Sequence, residues 1–184
     1  LFKRLRDITE PVSEYSFANL YLFREHHEYE VALGDHVFIR GRTFDGRDYV
    51  MPTEHIDRMG TACIEEQLGE ADFLFPIPEA WLSRFPEDRF KTSFHDGDTD
   101  YLYRVGKMSS YAGRKLHKKR NLLKQFTEAY SHEAKPLTND RLEDARYVLD
   151  AWRDELGLSS ADADYGPCRE ALQLYEELVL CGGI

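Results

Sequence analysis

The 184-residue sequence has few cysteines and lacks the long apolar segments of membrane proteins. Cys63, Cys168 and Cys181 lie far apart and form no CxxC pair, so neither a zinc site nor a disulfide framework is indicated. No apolar run approaches the roughly 18 residues that a membrane span requires, and the first residues lack the apolar core of a signal peptide. We therefore expect buried thiols, no transmembrane segment and a cytoplasmic protein.

The sequence also lacks the short motifs that would assign a reaction. It contains no GxSxG elbow, P-loop or GxGxxG, which removes the local signatures of hydrolases, NTPases and dinucleotide-binding enzymes. The DGDTD stretch at 96–100 is not a calcium loop, because Tyr101 and Lys107 stand where glycine and a bidentate acid are needed. His26 and His27 have no nearby Cys or HExxH partner. We predict no metal site and assign no catalytic acid or base.

What the sequence does have is a folded-protein composition and a very uneven distribution of charge. It is 42% hydrophobic and 13% aromatic, which excludes a disordered chain. Residues 114–124 carry six Lys or Arg and no acid, so with +6 in this stretch and −10 overall the remainder sums to −16. Residues 140–177 hold eleven acids against four arginines. The basic stretch is therefore a local feature of an acidic protein.

Hydrophobic periodicity predicts helices around a sheet of antiparallel strands. The predicted elements of the first part are a helix within 13–30, a hairpin or meander across 31–52, a helix between 53 and 69, a buried strand at 71–78, a helix at 79–85, and strands at 98–105 and 132–137.

Three further helices are predicted in the second part. The first, at about 113–130, carries the basic stretch, and Leu116, Leu123, Phe126 and Tyr130 make an apolar side that we expect to pack in the core. Asp140 and Glu143 have capping-box spacing at the start of the second. The third begins near Pro167 and reaches the glycines at 182 and 183.

The basic helix is the candidate binding element, since Lys and Arg neutralise phosphate or carboxylate groups. We assign Lys118, Arg120 and Asn121 as substrate-binding residues, and Lys115, His117 and Lys124 as weaker candidates. Such a surface suits a phosphate, a lipid headgroup or an RNA backbone. The alternative is a solvated helix face whose charges pair with the acidic helices nearby.

Two stretches resemble a known family. YSFANLYLFR at 15–24, and YLYRV at 101–105 followed by SSYAGRKLHKKRNLLKQF at 109–126, resemble proteins named for the C-terminal domain of phosphatidylglycerol lysyltransferase. The resemblance implies an α/β (α+β) protein built of two tandem acyltransferase folds of the GNAT type, with a mixed, largely antiparallel sheet flanked by helices. On this interpretation residues 1–134 form the first unit and residues 135–184 begin a second, truncated unit. The C-terminal half of the tandem fold is then expected to be missing.

The same resemblance implies transfer of an aminoacyl group from a charged tRNA to a hydroxyl or amine acceptor, without a metal. One alternative is an acyl-CoA-dependent N-acyltransferase, and another is a non-catalytic module that binds an anion or a partner. The GNAT pyrophosphate loop, R/Q-x-x-G-x-G/A, does not occur in the sequence. We therefore expect no cofactor in this chain, with aminoacyl-tRNA or acyl-CoA serving the full-length protein. The expected partner is an anionic substrate: a phosphate-bearing lipid, tRNA or CoA.

Overall fold

The computed structural model describes residues 1–160, 162 and 165–183. Its strands are β1 (Glu30–Ala32), β2 (Phe38–Arg42), β3 (Asp48–Pro52) and β4 (Phe73–Leu74). The α-helices of the described residues are α1 (Phe2–Leu5), α2 (Phe17–Leu22), α3 (Thr61–Leu68), α4 (Val105–Ser110), α5 (His117–Ala129), α6 (Leu142–Leu156) and α7 (Gly166–Gln173). Short 3-10 turns connect several of them.

The four strands form one sheet in the order β1-β2-β3-β4. β1 and β3 each pair antiparallel with β2, and Ile39 lies opposite Met51. The turn between β2 and β3 contains Gly46 at φ 83°, a left-handed conformation that glycine adopts without strain, and the Thr43 N–H donates to the Arg47 carbonyl at 2.9 Å. β4 joins β3 in parallel after α3. The predicted α/β class with a largely antiparallel sheet is confirmed.

A hydrophobic core lies around this sheet in the first ninety residues. Val50 and Met51 of β3 are buried, as are Ile64 of α3 and Trp81 of the 3-10 helix Glu79–Arg84. Tyr15 packs beside Trp81 with ring centroids 5.8 Å apart, which brings the N-terminal segment into the same cluster. Burial of each such large side chain stabilises the fold by about 1.5–3 kcal/mol.

α6 and α7 form a helical hairpin that is attached to the first region at α2. Arg24 donates from both guanidinium ends to the Glu170 carboxylate, at 2.8 and 3.0 Å, and its guanidinium carbon lies 4.1 Å from the centroid of the Tyr21 ring. Within the hairpin, buried Tyr165 donates to Asp150 at 2.6 Å. Polar contacts therefore position α7 against α2.

The predicted strand at 98–105 is wrong. Residues 99–104 are not in a strand, and α4 begins at Val105. Tyr101 and Tyr103 still project on one side, with nearly parallel rings 6.4 Å apart, as the alternation predicts. Tyr101 is 85% exposed, because no strand of the described chain pairs with this segment. Alternation predicts side-chain direction, but a strand also needs a hydrogen-bonding neighbour.

The predicted strand at 132–137 is reduced to one antiparallel bridge between Pro136 and Gly183. The predicted capping box does not form: α6 starts at Leu142 after a 3-10 turn, and Glu143 pairs instead with Arg146.

The prediction of buried thiols is also wrong for two cysteines. Cys63 is partly buried, which raises the pKa of its thiol, whereas Cys168 and Cys181 are exposed.

Three other helices differ from their predicted extents. The segment predicted as one helix from 53 to 69 is a 3-10 turn at Ile56–Arg58 followed by α3, and the turn is capped by the His55 ring nitrogen, which accepts from the Asp57 N–H at 3.2 Å. The helix predicted at 79–85 is a 3-10 helix, Glu79–Arg84. α7 ends at Gln173, well before the glycines at 182 and 183, because Leu174 leaves the helical conformation.

Candidate functional site

The basic stretch lies on α5 and on the turn that leads into it. Tyr111 ends α4 in a left-handed conformation at φ 47°, and Gly113 follows at φ 97°, where a side chain would be strained. A 3-10 turn, Arg114–Leu116, then leads directly into α5. The Arg120 guanidinium donates to the Tyr111 carbonyl at 2.9 Å, so this arginine also fixes the turn before the helix.

All six predicted binding residues are exposed, but α5 distributes them around its axis. His117, Asn121 and Lys124 share the polar face, because they are spaced four and three residues apart. Lys118 and Arg120 flank that face on opposite sides. Lys115 lies in the preceding turn. A ligand on the polar face would therefore meet one imidazole, one amide and the Lys124 ammonium group, with the Glu128 carboxylate that pairs with Lys124 on the same face and a cation on each side.

The acidic helices do not neutralise this stretch in the described part of the chain. Of the six cations at 114–124, Lys124 has an ion-pair partner within 4.0 Å, and that partner, Glu128 at 3.6 Å, belongs to α5 itself. The acids of α6 and α7 pair elsewhere, for example Asp150 with Arg153 at 3.6 Å. The basic surface is thus available to an anion.

The position of these charges on the helix also favours an anion. Lys118, Lys119 and Arg120 occupy the first turn of α5, which carries no acid. Cations at a helix N-terminus oppose the helix dipole and cost about 0.3–1 kcal/mol each. A bound phosphate or carboxylate would offset that cost, since the first-turn N–H groups and the cations both attract negative charge.

The expected core packing of the apolar side of α5 is wrong. Leu123, Phe126 and Tyr130 are about half exposed or more, at 47%, 46% and 63%, and α5 contains no buried residue. Leu116, in the preceding turn, is partly buried. The apolar spacing is as predicted, but no described element covers this side of the helix.

A polar cluster around Glu10 was not predicted from the sequence. The Trp81 indole donates to its carboxylate at 2.6 Å, and the His55 ring nitrogen lies 3.5 Å away. Burial alone would raise the pKa of Glu10, but the Trp81 hydrogen bond, backbone N–H groups including that of Thr9 at 3.1 Å and the nearby His55 together hold the pKa below its ordinary value. His55 and Trp81 lie 45 and 71 positions after Glu10 in the chain, so no local pattern could have indicated the contact.

A second unpredicted cluster contains Tyr49, Tyr29 and Glu14. The Tyr49 hydroxyl donates to that of Tyr29 at 3.1 Å, and burial raises the pKa of Tyr49. Burial also raises the pKa of Glu14, and the charges of Asp100 and Asp98 add to that effect. This cluster marks the contact between the packed region and the exposed segment at 96–104.

An open apolar groove of about 460 Å³ lies between α6 and α7. Its lining consists of Ala145, Val148, Leu149, Trp152, Cys168, Ala171 and Leu172.

In the described residues no group of three or more His, Cys, Asp or Glu side chains is placed to hold a metal ion. Across the same residues, no helix combines the length and the apolar character that crossing a bilayer requires.

Comparison with known families decides the relationship. A model of the family described as phosphatidylglycerol lysyltransferase, C-terminal, matches residues 5–184. The chain belongs to that family. The resemblance expected from 15–24 and 101–126 is therefore confirmed, and the basic stretch and its exposed surface are features of a phosphatidylglycerol lysyltransferase C-terminal family member.

One solved structure similar to this family member is a conserved protein of unknown function from Bacteroides thetaiotaomicron VPI-5482. The TM-score is 0.74 at 20% sequence identity, which shows a shared fold. The match covers 97% of this chain and 65% of that chain, so the chain spans about two thirds of its relative. A search of curated proteins gives no match.

Proposed function

We propose that this chain is part of an aminoacyl transferase that moves an aminoacyl group from a charged tRNA to a hydroxyl or amine acceptor. Membership of the phosphatidylglycerol lysyltransferase C-terminal family supports the reaction class. The observation that carries the proposal is the exposed basic surface of α5, which the acidic helices leave unneutralised among the described residues. The division into units at 1–134 and 135–184 stays part of this proposal.

Aminoacyl transfer depends more on positioning the donor ester and the acceptor than on proton transfer by the protein. The acceptor oxygen or nitrogen attacks the carbonyl carbon of the aminoacyl ester, the ester C–O bond breaks, and the tRNA ribose hydroxyl leaves with the proton that the acceptor loses. Because the ester is already activated, alignment of donor and acceptor lowers much of the barrier. A cationic surface suits both substrates, since tRNA and a phosphate-bearing lipid headgroup are anionic.

The residues proposed to hold the substrate phosphates are Lys118 and Arg120, with Asn121 as a hydrogen-bonding neighbour. Lys115, His117 and Lys124 extend the same surface. Arg120 uses one N–H group to bind the Tyr111 carbonyl and retains others for a phosphate. Their role is binding, and no catalytic acid or base is assigned.

The test is tRNA binding by the purified chain and aminoacyl transfer by the full-length protein, each compared with its Lys118→Ala/Arg120→Ala variant. Aminoacyl-tRNA binding should weaken by about tenfold or more, and the slope of log affinity against log salt should fall by about 2. Transfer of a radiolabelled amino acid to phosphatidylglycerol should fall in parallel. Lys3→Ala/Arg6→Ala, which removes two exposed cations of the packed region, is the matched control.

Unchanged tRNA affinity in Lys118→Ala/Arg120→Ala would contradict the proposal, as would equal loss in the control. Acyl-CoA provides a separate comparison. A rise in melting temperature with acetyl-CoA, together with no tRNA binding, would instead favour the N-acyltransferase alternative, because a ligand that binds only the native state raises its apparent stability.

A further inference from the structure

The segment 96–104 is attached to the packed region, residues 1–90, through one serine. The Ser13 N–H donates to the Asp100 carboxylate at 2.7 Å, and the Ser13 hydroxyl donates to the Glu14 carboxylate at 3.2 Å. Among the described residues, the Ser13–Asp100 bond is the one hydrogen bond that joins residues 91–104 to the packed region. Two carboxylates from distant parts of the chain therefore meet at Ser13.

The titratable groups that interact with Glu14 in the described chain are tyrosines and acids. They are Tyr15 of the same 3-10 turn, Tyr29 next to β1, Tyr49 of β3, and Asp98 and Asp100 of the segment. Burial raises the pKa of Glu14, and the charges of Asp100 and Asp98 add to that effect. An ionised Glu14 is therefore partly removed from water and lies against two like charges.

His95 is the titratable cation of the same segment. Its Nδ1 atom lies 3.7 Å from the Asp98 carboxylate, so a protonated His95 offsets one of the charges that face Glu14. Acidification thus acts in the same direction on both sides of the contact. It removes the charge of Glu14, and it adds a positive charge beside Asp98.

We propose that the contact of Glu14, Ser13 and Asp100 is a pH-sensitive latch, which holds the segment 96–104 on the packed region when Glu14 is protonated and releases it when Glu14 ionises. Release separates the carboxylates and returns Glu14 to water, so the released form binds the Glu14 proton less tightly than the attached form. Attachment is therefore favoured as the pH falls and disfavoured as it rises.

The latch has a consequence for the basic helix. The segment leads directly into α4 at Val105, and α5 follows at His117 after a short turn. The state of Glu14 therefore determines whether the chain that leads to α5 is fixed to the packed region. This is a regulatory role that goes beyond the proposed transfer reaction and does not depend on it.

The experiment measures hydrogen exchange at the Ser13 amide of the full-length protein at pH 5 and pH 8, corrected for the intrinsic exchange rate at each pH. Ser13 begins its 3-10 turn, so its N–H has no partner within the turn and its protection reports on Asp100. Protection should fall by about threefold or more between pH 5 and pH 8. The Val50 amide of buried β3 should stay protected at both pH values, which shows that the core remains folded.

Three variants separate the latch from a fixed contact. Glu14→Gln cannot ionise, so its Ser13 amide should be as protected at pH 8 as at pH 5. Asp100→Ala lacks the acceptor and should leave Ser13 unprotected at both pH values. Glu30→Gln is the matched control, because Glu30 is an exposed acid at the start of β1, and it should follow the parent protein.

Equal protection of Ser13 at pH 5 and pH 8 in the parent protein would overturn the proposal, as would the same fall in Glu14→Gln as in the parent. An unprotected Ser13 amide at both pH values would also overturn it, since the segment would then not lie on Ser13. Amide exchange needs neither tRNA nor turnover. A protein that binds no tRNA can still show the latch, and a protein without the latch can still bind tRNA, so the two proposals fail separately.

Discussion

Residues 1–85 and residues 86–160 have similar hydrophobic patterns but very different environments. The first region contains most of the buried core, including Val50, Met51 and Trp81. In the second, no described residue is buried, although α5 and α6 both carry apolar rows. The next buried residues of the described chain are Tyr165 and Pro167. An apolar row therefore predicts a helix and its apolar side, whereas coverage of that side depends on elements distant in sequence.

The difference arises because other segments cover the apolar side chains of the first region, whereas those of the second region stay uncovered. In the first, a sheet offers two faces, and segments from 2–22 and 61–85 cover them. In the second, α5 contacts mainly its own turn, and the α6–α7 hairpin leaves an open groove. Apolar surface without a partner is a common mark of binding surfaces.

The two tryptophans give the largest expected contrast between the regions. Trp81→Ala should lower the free energy of unfolding by about 3–5 kcal/mol, because Trp81 is 1% exposed and its indole N–H is bonded to Glu10. Trp152→Ala in the α6–α7 groove should cost about 1 kcal/mol or less, since that side chain is 38% exposed. Urea denaturation followed by circular dichroism measures both.

Intrinsic fluorescence provides a check on the same pair. With Trp152 removed, the remaining emission should come from a buried indole and shift to longer wavelength on unfolding. Equal destabilisation by the two substitutions would contradict the contrast, because it would mean that the groove is covered as completely as the core.

The sheet could be predicted from the sequence because its signals are local. Residues 31–52 contain two β-branched and aromatic runs around a turn with Gly46, and turn chemistry acts over a few residues. The segment at 98–105 has a similar alternation, yet it forms no strand. What distinguishes the two is a hydrogen-bonding neighbour, which alternation alone cannot indicate.

The cations of the candidate site could be predicted from the sequence, but the exposed surface around them could not. Six cations within 114–124 are visible in the sequence, and the resemblance noted at 109–126 includes the same stretch. Exposure of Leu123 and Phe126 was not predictable, because their spacing is the same for a core-facing helix and for an uncovered one. Contacts such as Arg24 with Glu170, which are 146 residues apart, require the whole fold.

The Arg24–Glu170 pair tests how firmly the hairpin is attached to the packed region. A double-mutant cycle with Arg24→Gln and Glu170→Gln should give a coupling of about 1 kcal/mol, because the pair is bidentate and about one third exposed. The exposed Lys124–Glu128 pair of α5 is the control and should give less than about 0.5 kcal/mol. No greater coupling in Arg24–Glu170 than in the control would mean that the hairpin is held by other contacts.

The smallest expected effect concerns Glu10 and Glu14, whose pKa values shift in opposite directions. Burial opposes the ionised form of Glu10, but the Trp81 hydrogen bond and His55 lower its pKa below the ordinary 4.5. Glu10 therefore contributes stability that is present above pH 4.5 and is lost as the pH falls through its folded-state pKa. Burial, Asp100 and Asp98 raise the pKa of Glu14. Its contribution is present below pH 4.5 and is lost as the pH rises through its folded-state pKa.

Glutamine variants should separate these two contributions. At pH 7 we expect Glu10→Gln to lower the melting temperature and Glu14→Gln to raise it, and both differences from the parent chain should shrink toward pH 3.5. Asp100→Asn should reduce the gain from Glu14→Gln, because Asp100 is one of the charges that oppose ionisation of Glu14. The Ser13 N–H donates to Asp100 at 2.7 Å, so this aspartate is where the exposed segment contacts the packed region. A shift of the same sign in both glutamine variants would contradict the opposite directions of the two pKa shifts.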